Sequence, residues 1–74
     1  MAGTKTDRLG VVAARNIRAW RQRRALTQEE VASRSRIDYK RFQRIEAGQI
    51  NLTLRTLERI ARVLRVDSLA LFRA

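Results

Sequence analysis

The side chains best placed to do chemistry are Tyr39, Lys40, Gln43 and Arg44, which share the exposed face of one predicted helix. All four are hydrogen-bond donors and two are cations, but none is a nucleophile with a base beside it. The chain has no Cys and no His. That removes the usual zinc ligand sets, and with them Ser-His-Asp and Cys-His catalysis. Seven acids remain, yet Glu29 and Glu30 are adjacent and so diverge on a helix, and no carboxylates fall at metal-ligand spacing. No enzyme activity, metal or cofactor is expected. What is left is recognition by hydrogen bonds and positive charge.

The charge points the same way. Seventeen Lys and Arg face seven Asp and Glu, a net +10 on 74 residues. Charge at that density favours a polyanion, most simply nucleic acid. Only Lys5 and Lys40 are lysines. A GC-rich genome explains Arg in place of Lys, but not the excess of base over acid. No apolar run is long enough to span a bilayer and no charged-then-apolar leader opens the chain, so a cytoplasmic location without membrane contact is expected. The length makes one small domain with a modest core.

The exposed face must be positioned by the elements around it. Thr27 precedes a helical apolar pattern and Glu30 lies three residues on, the spacing of a capping box. Val31 and Ala32 face inward, and Ile37 plugs the following turn. Asp38 is the N-cap of the next helix, Phe42 and Ile45 are its buried face, and Gly48 stands where a left-handed C-cap is usual. Two helices so spaced, the second polar and basic outside, read as helix-turn-helix. Upstream, Leu9, Val12, Ala13, Ile17 and Trp20 form a helical stripe from about Asp7 to Arg24, with Trp20 read as core. Downstream, Leu57, Ile60, Ala61 and Leu64 form another, rimmed by Arg55, Arg59, Arg62 and Arg65. Asp67 can cap a short last helix, Ser68 to Phe72. Leu69, Leu71 and Phe72 are too many apolar groups for so small an interior, and an uncovered apolar patch marks an interface, here between two copies of the chain.

The segments Leu26-Thr27-Gln28-Glu29-Glu30-Val31-Ala32 and Arg44-Ile45-Glu46-Ala47-Gly48 resemble the Cro/CI-type (XRE) helix-turn-helix transcription regulators. Ile17-Arg18-Ala19-Trp20-Arg21 and Thr56 to Val66 extend the likeness on both sides. The resemblance implies an all-α, compact five-helix lambda-repressor-like DNA-binding domain over residues 9–74, preceded by a flexible arm over residues 1–8. This sequence departs from the family at Arg36, where the turn usually has Gly, and at Leu52, where Pro is common. A side chain at a positive φ costs on the order of 1 kcal/mol.

By that resemblance, Tyr39, Lys40, Gln43 and Arg44 are the base-reading residues of a recognition helix over about 39–47. Gln28, Arg34, Arg41, Gln49, Asn51 and Thr53 are assigned to phosphates, although Thr53 can equally cap the helix that follows it. Arg21 and Glu46 form a structural ion pair. The implied function is a sequence-specific regulator, a homodimer on a nearly palindromic operator in double-stranded DNA. RNA polymerase is a compatible further partner, and no small-molecule ligand is expected. Phage Cro-like repressors and restriction–modification controller proteins fit alike. The rival reading is an antitoxin-type protein-binding module that also binds its own operator, which calls for a toxin-binding segment outside this domain.

Overall fold

Among the described residues each α-helix is followed by a residue in the left-handed region, and the elements are best described from those turns. The computed structural model describes residues 2–49 and 52–73, with side chains from residue 8 onward. Four α-helices, α1 (Ala2–Arg23), α2 (Gln28–Ser35), α3 (Tyr39–Glu46) and α4 (Leu54–Leu64), are followed by a 3-10 helix (Ser68–Phe72). Among the described residues there is no strand. The fifth element is thus a 3-10 helix and not an α-helix. It closes through i→i+3 bonds, from Ala70 N–H to Asp67 O at 2.8 Å and Arg73 N–H to Ala70 O at 3.4 Å, as suits a five-residue segment.

All four α-helices end in the same way. The N–H groups of Ala25, Arg36, Gly48 and Arg65 donate to carbonyls three residues back, and those of Leu26, Ile37, Gln49 and Val66 donate five residues back. This is the Schellman arrangement, and it places the first four residues at φ of +56°, +58°, +71° and +60°. Only one of the four is glycine. The residue following three of them is apolar, and Leu26, Ile37 and Val66 all pack on the core. Burial of that next side chain is what draws a non-glycine into a costly conformation.

The core is made by Ala13 and Ile17 of α1, Val31 and Ala32 of α2, Phe42 and Ile45 of α3, Leu57, Ile60, Ala61 and Leu64 of α4, Ile37 of the turn, and Leu71. Leu71 is fully buried inside the single chain. Its assignment to a surface between copies is therefore corrected: Leu71 anchors the 3-10 helix to its own core. Asn16 completes the anchor, donating from Nδ2 to the carbonyls of Leu71 at 2.8 Å and Arg73 at 2.7 Å. Leu69 stays exposed and Phe72 is half-buried.

The first helix also differs from expectation. It runs from Ala2, so the segment expected as an arm continues α1. No proline interrupts residues 2–8, and Gly3 alone is a weak obstacle to helix propagation. Leu9, expected in the core stripe, is 59% exposed and lines an apolar groove with Gly10, Leu52, Leu54 and Phe72. No helix among the described residues is long and apolar enough to cross a membrane.

Candidate nucleic-acid interface

The inner face of α3 is bolted down and its outer face is left free. Phe42 and Ile45, one turn apart, are almost wholly removed from water. The helix starts on Asp38, whose carboxylate accepts from Arg41 N–H at 3.3 Å. It ends on Gly48, where a Cβ would meet Val11 Cγ2 of α1 at 3.4 Å and the φ of +71° would strain any side chain. The φ is what favours glycine, since the approach to Val11 is an ordinary van der Waals contact and Ala25, Arg36 and Arg65 hold a similar φ at a cost.

One ionic node locks three helices together. Arg21 of α1 donates from Nε to Glu46 Oε2 at 2.6 Å and from Nη2 to Oε1 at 3.3 Å. Gln28, the first residue of α2, donates from Nε2 to Glu46 Oε1 at 3.0 Å. The Glu46 side chain keeps only 3% of its surface in water. A buried carboxylate needs this many donors, because charge taken out of water is otherwise very costly. The fork of Arg21 has a third use: Nη1 donates to Leu26 O at 3.0 Å, across the turn made by Ala25. The side-chain amide of Gln28 is thus engaged with the protein. Its second amide hydrogen and the backbone N–H groups of Gln28 and Glu29 remain for a phosphate.

On the outer face, Tyr39, Lys40, Gln43 and Arg44 are exposed together, with Arg41 beside them. Gln43 Nε2 donates to Tyr39 Oη at 3.3 Å, one helical turn away, so these two side chains stand against each other. No carboxylate pairs with Lys40, Arg41 or Arg44 among the described residues. The only acid in α3 is Glu46, and it is turned inward. The result is a donor-rich ridge carrying three uncompensated cations on a rod fixed along its other side.

The residues assigned to phosphates separate into groups. Gln49 and Arg41 are exposed beside the two ends of α3. Thr53 is the N-cap of α4: its hydroxyl accepts from Thr56 N–H at 3.1 Å and donates to Thr56 Oγ1 at 2.9 Å. That engages the side chain and leaves the capping role. Asn51 lies outside the described residues. Arg34 is carried to a separate cleft between α2 and α4, with Glu30 at 3.9 Å. Glu30 itself folds back in the capping box, accepting from Thr27 N–H at 2.8 Å while its own N–H donates to Thr27 Oγ1 at 3.0 Å. The hydrogen bond from the Thr27 backbone lowers its pKa from the ordinary 4.5, with the Thr27 hydroxyl and Arg34 acting in the same direction. Neither oxygen is thereby aimed at a phosphate in front of α2.

Several working residues left no trace in the sequence. Arg24 donates to the carbonyls of Leu64 at 2.8 Å and Arg65 at 3.3 Å, and Arg59 to those of Ser35 at 3.0 Å and Arg36 at 2.9 Å. Each holds the carbonyl end of another helix beside a strained non-glycine turn. Arg23 and Arg24 also sit over the half-buried Trp20 ring at 4.9 and 5.0 Å. No spacing rule separates Arg24 from Arg23, or Arg59 from Arg55, because both kinds lie on a basic helix edge.

A family model described as a helix-turn-helix domain matches residues 12–74. The chain belongs to the helix-turn-helix family. The Cro/CI-type likeness of its motifs stands with that match. Two solved structures are similar. The clp gene regulator ClgR from Corynebacterium glutamicum superposes with a TM-score of 0.83 at 19% identity, covering 85% of this chain and 67% of that one. The restriction-modification controller protein C.AhdI from Aeromonas hydrophila gives 0.82 at 28% identity, covering 85% of this chain and 96% of that one. At 19% identity the first is a likeness of fold alone. No curated protein matches.

Proposed function

We propose that this helix-turn-helix protein is a sequence-specific transcriptional regulator that binds an operator in duplex DNA as a homodimer. The observation that carries the reading is the contrast across α3, with Phe42, Ile45 and Glu46 held inside while Tyr39, Lys40, Gln43 and Arg44 stand free and unpaired by acid. A helix of this kind fits the major groove. There Arg44 or Lys40 donates to guanine O6 and N7, Gln43 pairs with adenine N6 and N7, and Tyr39 lies on a thymine methyl. The N-terminus of α2, Arg41 and the Gln49 loop hold the flanking phosphates and fix register.

The dimer surface of this reading is narrower than the sequence implied. Leu69 is 71% exposed and adjoins Phe72, whose ring also lines the apolar groove with Leu9 and Leu54. A second copy seated there removes these groups from water and relates the two recognition helices by a two-fold axis. The near full-length likeness to a controller protein supports a role of that kind, with polymerase excluded from or recruited to the operator.

Selection of bound sites from random duplexes tests the reading. The expected product is a pair of inverted half-sites about 10 base pairs apart, bound with a steep dependence on salt. Recovery of no common motif, at any ionic strength, would overturn it.

A further inference from the structure

A second basic feature lies away from the outer face of α3. A cleft of about 370 Å³ opens between α2 and α4, lined by Arg34, Ser35, Arg36, Arg59, Arg62 and Val63. Arg59 answers the carbonyl end of α2 with two of its N–H groups. That leaves three of the five on its guanidinium. Arg36, Arg59 and Arg62 have no carboxylate partner among the described residues, and Arg34 has only the long, exposed approach to Glu30 at 3.9 Å. The Ser35 hydroxyl is buried at the same cleft and has no hydrogen-bond partner. Four like charges around one concavity repel one another, and an unpartnered buried hydroxyl adds a further cost. The repulsion is relieved by a multiply charged anion held among the guanidinium groups, whereas the Ser35 hydroxyl is closed off from solvent.

The position argues against the operator backbone as that anion. Duplex phosphates in the reading above meet the N-terminal end of α2, Arg41 and the loop before α4. At 1.5 Å per residue, Arg36 stands about 12 Å along α2 from Gln28, and Arg62 about 14 Å along α4 from Thr53. The cleft is therefore set back from the two helix ends that grip phosphate, and Arg41 is not among its lining residues. It also holds the turn residue Arg36, three positions before α3 begins, so an occupant would tie the C-terminus of α2 to α4 beside the turn that leads into the recognition helix.

The geometry points to this cleft as a binding site for a small phosphate-bearing anion, of the size and charge of an oligophosphate, held by Arg34, Arg36, Arg62 and the free edge of Arg59. It is separate from the DNA-reading face and does not depend on what sequence that face reads. A small-molecule input is then available to a chain whose sequence suggested none.

The test uses the full chain and sodium pyrophosphate at constant ionic strength, followed by the amide resonances in NMR and by calorimetry. One saturable site is expected, with shifts concentrated at Ser35, Arg36 and Arg62. Arg34→Gln and Arg62→Gln should each weaken it tenfold or more, while Arg18→Gln, exposed on α1, should leave it unchanged. Neither cleft variant removes a bond between helices, and each lowers the repulsion around the cleft, so neither should melt below the parent. Non-saturating shifts spread over every basic face, or equal weakening by Arg18→Gln, would overturn the proposal. So would a parallel titration with random duplex in which Arg62→Gln loses as much affinity for DNA as for pyrophosphate, since the cleft would then belong to the duplex backbone. Pyrophosphate binding that survives when selection yields no operator would leave the site standing and remove the regulator reading alone.

Discussion

Arginines bonded to the protein itself and arginines on the outer face of α3 have the same chemistry and opposite employment. Arg21, Arg24 and Arg59 point their guanidinium groups at the protein's own carbonyls or at Glu46. Arg41 and Arg44 have no such partner among the described residues. The planar fork suits both tasks, because it can hold two acceptors at once whether they are helix-end carbonyls, a carboxylate or a base edge. The lesson is that net charge overstates the surface offered to DNA. Part of the +10 is internal wiring that holds non-glycine turns in place.

The comparison breaks most visibly at Glu46. Glu46→Ala leaves Arg21 largely enclosed without its carboxylate and should cost about 3 kcal/mol or more in urea unfolding. Adding Arg21→Ala to it should cost clearly less than the two single losses summed. Arg59→Ala frees the carbonyls of Ser35 and Arg36 and should cost about 2 kcal/mol, measured the same way. Arg44→Ala should behave in the opposite manner. Its stability should stay within about 0.5 kcal/mol of the parent, while affinity for the selected operator falls roughly tenfold and preference relaxes at one base pair. An Arg44→Ala protein that melts early while keeping its specificity would merge the two classes.

Smaller effects sharpen the contrast between turns. Arg36→Gly relieves a left-handed side chain but loosens the unfolded chain, so a net gain under about 1 kcal/mol is expected. Gly48→Ala meets the strain of the left-handed φ and should lose about 1 kcal/mol. The smallest effect is on pH dependence. A Glu30 pKa lowered in the fold contributes stability above about 4.5 that is lost as pH falls through the folded value. Glu30→Gln should flatten that part of the acid melting profile and leave the rest unchanged.

Much of the frame was legible because it rests on local rules. The capping box at Thr27 and Glu30, the Asp38 cap, the Gly48 terminus and the apolar stripes of α3 and α4 need only neighbours in the chain to be read. The outward side chains of α3 follow from the same periodicity. Leu71 was misplaced because an apolar residue in a terminal helix reads alike whether it faces a partner or its own core. Asn16, which draws the 3-10 helix inward from 55 residues away, gives no local sign of doing so.

Sequence alone therefore determined where α2, α3 and α4 lie, which face of each is apolar, and which four side chains form the free ridge of α3, since spacing on a regular helix fixes direction. Tertiary structure alone decided which cations are free. A guanidinium on a flexible stem reaches whatever acceptors the fold brings near, and the carbonyl ends of other helices came near only when four helices packed around one small core.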